Sequence, residues 1–97
     1  MASIREKAIE ARLKQRVEDT GGLCIKLAMT YNAGMPDRLC LFPNAFTAFV
    51  ELKAPGKKPR PIQLYMHDKL RTRGFKVYVI DNYDDIELII KEAGYAK

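Results

Sequence analysis

Two acidic residues and one lysine have the types and spacing needed for chemistry on a phosphate. Glu51 and Lys53 are separated by one residue in an apolar run, and side chains alternate along a strand, so both should share one face of a sheet. Asp37 opens the preceding run, which a short Pro43-Asn44 turn joins to the first. Carboxylates at adjacent strand ends repel each other unless a positive charge lies between them. A hard divalent cation such as Mg²⁺ suits these oxygen ligands, activates water and neutralises phosphate charge.

Lys53 would then lie beside the cation. There it would hold or deprotonate an attacking water, or stabilise a pentacovalent phosphate. The alternative is structural, because carboxylates at strand ends often bond to backbone or to a nearby lysine. The acid-x-lysine pattern alone occurs by chance in many proteins, so the neighbouring elements must decide between the two interpretations.

The apolar spacing predicts the element order α-β-β-β-α-β-α. Apolar residues recur at helical period over 3–20, where Ser3 and Glu6 form a capping box and Gly21 follows as a stop. A second helix is predicted over 62–72, and a third, capped by Asp81 or Asn82, runs to about residue 93. The predicted strands are 23–29, 37–42, 46–53 and 75–81. Short connections favour an antiparallel meander of the first three strands, and the helical crossover makes the fourth parallel to the third.

Positive charge is concentrated in one third of the chain. Residues 51–80 carry eight Lys and Arg against two acids, whereas residues 1–50 carry seven against five and residues 81–97 two against five. Much of this charge lies in the proline-rich loop 54–61, where we expect Lys57, Lys58 and Arg60 to contact phosphates. A solvated loop that only aids solubility is the alternative.

Length and composition exclude several classes of protein. The 97 residues suffice for a single domain, 1–97, with 47% apolar residues to build a core. No apolar run reaches the roughly 18 residues that span a bilayer, and the charged N-terminus does not resemble a secretory signal. Two cysteines, Cys24 and Cys40, make neither a disulfide framework nor a zinc site, and we expect them to pack reduced in strands. We therefore expect an intracellular protein without a membrane partner.

Taken together, these motifs resemble the PD-(D/E)xK nuclease superfamily and, within it, a stand-alone member of the VRR-NUC (virus-type replication-repair nuclease) family. The resemblance covers nearly the whole chain and is carried by Glu10 in the first helix, by the sequence GMPD at 34–37, by ELKAPGK at 51–57, and by Gln63. It implies an α/β (α+β) restriction-endonuclease-like core with a mixed central sheet flanked by helices.

The resemblance also implies roles for single residues. Asp37 and Glu51 would hold the metal, with the Leu52 carbonyl as a third ligand, and Lys53 would be the catalytic lysine. Glu10 would approach as a further metal or water ligand. Gln63 would help to fix Lys53, water or the scissile phosphate.

The implied function is that of a Mg²⁺- or Mn²⁺-dependent deoxyribonuclease acting on branched DNA or Holliday junctions in a bacterial or phage-infected cytoplasm. Paired cuts by so short a chain suggest a homodimer, whose apolar surface would come from the first helix or from residues 75–93. Two alternatives stay open at this point. One is a nucleic-acid-binding module without catalysis, and the other is a restriction-type or exonucleolytic nuclease on the same fold.

Two of these site residues also have purely local interpretations. Glu10 has Lys14 one turn away and would gain a few tenths of a kcal/mol from that pair alone. Gln63 stands at a helix start and would serve there as a cap.

Three other polar or aromatic residues carry weaker signals. His67, the lone histidine, lies in mid-helix without a partner motif and is expected to be a surface or packing residue. Tyr31, with Asn32 beside it in the loop before the acidic strand, is a candidate DNA contact, and covering a core edge explains such a tyrosine equally well.

Overall fold

Four strands form one mixed sheet, and three helices pack on its two faces. The computed structural model describes residues 4–27 and 33–95. The helices are α1 (Ile4–Asp19), α2 (Pro61–Thr72) and α3 (Tyr83–Glu92), and the strands are β1 (Leu23–Lys26), β2 (Arg38–Leu41), β3 (Thr47–Leu52) and β4 (Lys76–Ile80). The predicted α-β-β-β-α-β-α order is confirmed.

The strands lie in the order β1-β2-β3-β4. β1 and β2 pair antiparallel, as do β2 and β3, with Arg38 opposite Val50. β4 runs parallel to β3, with Leu52 beside Ile80. The predicted meander and the parallel crossover are both confirmed. This register places Asp37, one residue before β2, at the level of the C-terminal end of β3.

One face of the sheet forms the main core. Val50 and Cys40 point to this face and pack against the apolar stripe of α1, represented by Leu13, and against α3. Cys24 and Cys40 are buried and free, as expected, and their sulfurs lie 3.9 Å apart across β1 and β2. None of the helices within residues 4–27 and 33–95 is long and apolar enough to cross a membrane.

The opposite face is only partly covered. Glu51 and Phe49 alternate with the core residue Val50, so they point away from the core toward α2. In the described part of the chain, α2 packs on β4 rather than on β1 or β2. As a result, Leu23 and Ile25 of the edge strand β1 are 60% and 39% exposed.

Several element boundaries differ from the prediction for identifiable reasons. β1 ends at Lys26, although the Leu27 N–H still bonds to the Asp37 carbonyl at 2.9 Å. α2 begins at Pro61, because proline lacks the N–H that a first helical residue leaves unpaired. The cap of α3 agrees with the prediction: of the two predicted residues it is Asn82, which accepts from the Asp85 N–H. The proposed cap at Ser3 lies outside the described residues.

Candidate active site

The C-terminal end of β3 brings the carboxylates and the lysine together. Glu51 is 2% exposed, and its Oε2 lies 3.5 Å from Lys53 Nζ, since the two side chains share a face of the strand. Asp37 reaches the same place from the start of β2, where its Oδ2 accepts a 2.8 Å hydrogen bond from the Leu52 N–H. The structure therefore assembles Asp37, Glu51 and Lys53 at one sheet edge.

Gln63 links the lysine to the buried carboxylate. Its Oε1 accepts from Lys53 Nζ at 2.8 Å, and its Nε2 donates to Glu51 Oε2 at 2.9 Å. Oε1 also accepts from the Arg60 N–H at 2.8 Å. Because Oε1 receives two donors and Nε2 faces an acceptor, the hydrogen bonds fix the orientation of the amide. Gln63 thus caps its helix and joins the site at the same time.

The turn before Asp37 is seated directly on the start of α2. Gly34 has a φ of +85°, and a Cβ at this position would lie 2.4 Å from the Ile62 carbonyl oxygen. Only glycine tolerates both this backbone conformation and this approach. Pro36 follows as a fully buried residue. The contact fixes the strand that carries Asp37 relative to the helix that carries Gln63.

Glu51 is held in an unfavourable electrostatic position. Burial, followed by the nearby charge of Asp37, raises the pKa of Glu51 from 4.5 to about 7, against the opposing effect of Lys53. Its Oε1 has no hydrogen-bond partner among the described residues. A buried carboxylate with an open oxygen and an acidic neighbour is a favourable place for a cation.

His67 belongs to this site and was missed by the sequence interpretation. The ring is fully buried, which contradicts a surface position, and its Nε2 lies 3.5 Å from Glu51 Oε1. Burial and the charges of Arg71 and Lys53 lower the pKa of His67, which favours the neutral ring. One signal was available in the sequence: His67 follows Gln63 by four residues, which places both on one helix face.

In this structure Glu10 forms an ion pair with Arg38. Its carboxylate accepts from the Arg38 Nε at 2.8 Å, and Arg38 also donates to the Cys24 carbonyl. Arg38 lies opposite Val50 on the core face, the reverse of the face that carries Glu51. The local interpretation of Glu10 is wrong, because Lys14 pairs with Glu18. The role of Glu10 as a metal or water ligand stays a prediction.

The basic loop continues directly from the site. Ala54 and Lys57 close a turn through a 3.0 Å hydrogen bond, and the Gly56 N–H donates to Asp81 at the end of β4. Lys57, Lys58 and Arg60 are all exposed along this loop. The loop that carries them joins Lys53 to the start of α2, where Gln63 lies. Tyr31, the other candidate DNA contact, lies outside the described residues.

The donor set fits a hard divalent cation. Asp37 and Glu51 supply carboxylates. In an antiparallel pair, the N–H and the carbonyl of a residue point toward the same neighbouring strand, so the Leu52 carbonyl points toward β2, as does the Leu52 N–H that bonds to Asp37. Mg²⁺ needs only one or two carboxylates because it keeps several waters. The described residues contain no group of three or more His, Cys, Asp or Glu arranged to hold a metal, so Glu10 does not complete a triad here.

Comparison with known proteins agrees with this geometry. The chain is 44% identical over 84 residues to the provisionally named nuclease p44 of Acyrthosiphon pisum secondary endosymbiont phage 1, covering 87% of this chain and 90% of that protein. It also superposes on a solved structure described as a VRR_NUC domain with a TM-score of 0.84 and 33% identity, over 92% of this chain and 97% of the other. No family model matches the sequence. The sequence and structure relationships together show that the chain belongs to the VRR-NUC family of nucleases, with its PD-(D/E)xK-like fold.

Proposed function

We propose that this nuclease is a metal-dependent endonuclease that hydrolyses DNA phosphodiesters at branched or four-way junctions. The observation that carries the proposal is the buried Glu51 carboxylate, flanked by Asp37 and by a lysine fixed 3.5 Å away. We place the activity in the cytoplasm of a bacterial or phage-infected cell. The phage origin of the 44% identical relative supports this setting.

Asp37, Glu51 and the Leu52 carbonyl would hold Mg²⁺ or Mn²⁺ at the sheet edge. When bound, such an ion neutralises charge on the phosphate and lowers the pKa of water. The chain itself supplies a rigid setting for these ligands. Asp37 is tied to β3 by its bond to the Leu52 N–H, and Glu51 is tied to α2 by Gln63.

Lys53 is oriented to act on the reacting groups. One of its three N–H donors goes to Gln63 Oε1 and a second faces Glu51 Oε2, which leaves the third for a water or a phosphate oxygen. The side chain is 14% exposed, so its charge acts largely out of bulk water. A fixed cation in such a place stabilises negative charge that develops on the phosphate.

The loop residues Lys57, Lys58 and Arg60 would bind the DNA backbone beside the cleavage point. They are exposed cations, which suit phosphate contacts, and such contacts carry no information about base sequence. Tyr31 stays a predicted contact. Recognition through the backbone fits a substrate that is chosen by shape, and a branched junction is such a substrate.

A homodimer would supply the second active site needed for paired cuts. We assign its interface to the sheet face of β1 and β2 that no helix of residues 4–27 and 33–95 covers, because Leu23 and Ile25 are exposed there beside the apolar side chains of Leu39, Leu41 and Phe49. Exposed contiguous apolar surface of this kind marks interaction sites. The region 75–93, named from the sequence, also exposes Phe75, Tyr83 and Leu88, so more than one apolar surface is available.

Leu23→Asp is expected to convert the dimer to a monomer, because the substitution places a charge on the proposed interface. Leu23 is 60% exposed, so the monomer itself should stay folded. Sedimentation velocity measures the change, with Leu88→Asp on α3 as the matched control. A dimer that survives Leu23→Asp and dissociates with Leu88→Asp would move the interface to α3, and a monomeric wild type would exclude the homodimer.

Cleavage assays on a panel of DNA structures test the function. Four-way junction, flap, nicked duplex and plain duplex are each incubated with Mg²⁺, Mn²⁺ or EDTA. We expect cleavage that requires the metal and prefers the junction by at least about tenfold. Equal cutting of plain duplex would overturn the preference for branched DNA, and cutting in EDTA would overturn the metal dependence.

Asp37→Asn separates catalysis from binding in the same panel. Its amide oxygen still accepts from the Leu52 N–H, whereas its charge is lost, so we expect folding and DNA binding without cleavage. Binding by this variant should weaken as salt rises, because the contacts of the basic loop release counterions from DNA. Wild-type binding without any cleavage would favour a non-catalytic binding module instead.

A further inference from the structure

His67 is a buried polar side chain that the proposed chemistry does not yet use. Its ring is fully buried on the inner face of α2, and neither nitrogen has a hydrogen-bond partner within residues 4–27 and 33–95. The other buried side-chain atom in this condition is Glu51 Oε1. Two of these three atoms, His67 Nε2 and Glu51 Oε1, face each other at 3.5 Å.

A hydrogen bond between His67 Nε2 and Glu51 Oε1 would give both atoms a partner. A buried polar group in a folded protein is nearly always hydrogen-bonded, because leaving it unpaired costs its full desolvation. A neutral imidazole carries one N–H, and which nitrogen bears it depends on the neighbour. When Glu51 is ionised, as a metal ligand must be, only the tautomer with the proton on Nε2 gives Oε1 a donor. The 3.5 Å separation is a few tenths of an ångström longer than an ordinary N–H···O hydrogen bond.

We propose that His67 is a positioning residue that donates its Nε2–H to Glu51 Oε1 and presets this carboxylate for the metal. The inference rests on the proposed function. Gln63 already donates to Oε2 at 2.9 Å, so the two residues of α2, one helical turn apart, would fix both oxygens of Glu51. Each carboxylate oxygen has a second lone pair, so the metal is not displaced by these bonds.

The fold gives His67 a reason to be part of the site rather than of the general core. The main core lies on the opposite face of the sheet and is apolar. Beneath α2, Val77 is buried on the same face as Glu51, but the side chains nearest to the Glu51 carboxylate are polar: Gln63, Lys53 and His67. A histidine that only filled space would be replaceable by any apolar side chain of similar volume. A hydrogen-bonding partner of a metal ligand is not, since such partners set the ligand's orientation.

Three variants separate the hydrogen bond from packing. His67→Leu keeps apolar volume and removes the donor, His67→Gln places an amide N–H near the position of Nε2, and His67→Asn places one near Nδ1. We expect isothermal titration of Mn²⁺ into the DNA-free protein to show ten- to hundredfold weaker binding for the Leu and Asn variants. The Gln variant should stay within about threefold of wild type, and the KM for junction DNA should be unchanged in all three.

Met66→Leu, on a neighbouring position of α2, serves as the control for a change of packing. Equal Mn²⁺ affinity in wild type and in the Leu and Asn variants would overturn the inference, as would an equal loss in the Gln and Asn variants. Comparing the Gln and Asn variants still tests the Nε2 hydrogen bond if the Leu variant fails to fold. Failure of the proposed function looks different, because the wild type itself would then neither take up Mn²⁺ nor cut DNA.

Discussion

Lys53→Met is expected to lower kcat for junction cleavage by about 10²–10⁴-fold while the protein still folds and takes up Mn²⁺. Methionine keeps the length and the apolar part of the side chain but removes the three N–H donors. One of those donors bonds to Gln63 Oε1 at 2.8 Å. In the variant, Gln63 Oε1 would still accept a hydrogen bond from the Arg60 N–H. The site should therefore stay assembled without the ammonium group that we propose acts on the phosphate.

Single-turnover cleavage measures this loss directly, and titration of Mn²⁺ shows whether the metal site survives. Lys91→Met is the matched control, since Lys91 is an exposed lysine in the last turn of α3, which packs on the other face of the sheet. It loses the same formal charge and should leave kcat within about threefold of wild type. A rate within tenfold of wild type for Lys53→Met would show that Lys53 does not act in the chemical step.

The sequence was sufficient to bring Asp37, Glu51 and Lys53 together. Alternation along β3 put Glu51 and Lys53 on one face, and the short connection between β2 and β3 put Asp37 beside them. Both rules are local or involve neighbouring strands, so they do not depend on how the helices dock. The parallel placement of β4 followed from the length of the crossover for the same reason.

Two contacts could not be predicted from the sequence because they depend on how the helices dock against the sheet. Glu10 meets Arg38, which is 28 residues away, and no local spacing indicates that pair. His67 was assigned to the surface or to packing because its partner, Glu51, lies on another element. The helical repeat from Gln63 was the one signal that pointed to it. The exposure of Leu23 follows from the position of α2 over β4, which the strand pattern alone does not fix.

Glu51→Gln is expected to stabilise the metal-free protein at pH 8 while abolishing cleavage. The pKa of Glu51 is raised from 4.5 to about 7 in the folded state. Below pH 4.5 both the folded and the unfolded protein keep this proton. Between 4.5 and 7 the unfolded state releases it and the folded state retains it, so the free energy of unfolding falls as the pH rises. Over this range the wild type loses at most about 3 kcal/mol of its free energy of unfolding, whereas the glutamine variant, which has no carboxyl group to titrate there, loses none of it.

Urea unfolding in EDTA at pH 4, 5.5, 7 and 8 gives the difference between wild type and variant at each pH. That difference should be near zero at pH 4 and reach its maximum above pH 7. Glu18→Gln, at an exposed position of α1, is the control for the loss of a carboxylate outside the site. In Asp37→Asn the free energy of unfolding should fall less with rising pH than in the wild type, because the charge of Asp37 is one cause of the raised pKa of Glu51.

A glutamine variant that is less stable than wild type at pH 8 without metal would show that the Glu51 carboxylate stabilises the fold by its own contacts. The opposite result has a functional meaning. Burying an ionised carboxylate away from water destabilises the metal-free protein. A metal ion that binds this carboxylate only in the folded state raises the free energy of unfolding again. Mn²⁺ should accordingly raise the Tm of the wild type and leave that of Glu51→Gln unchanged, a result that would connect the free-energy cost of burying Glu51 to binding of the proposed metal.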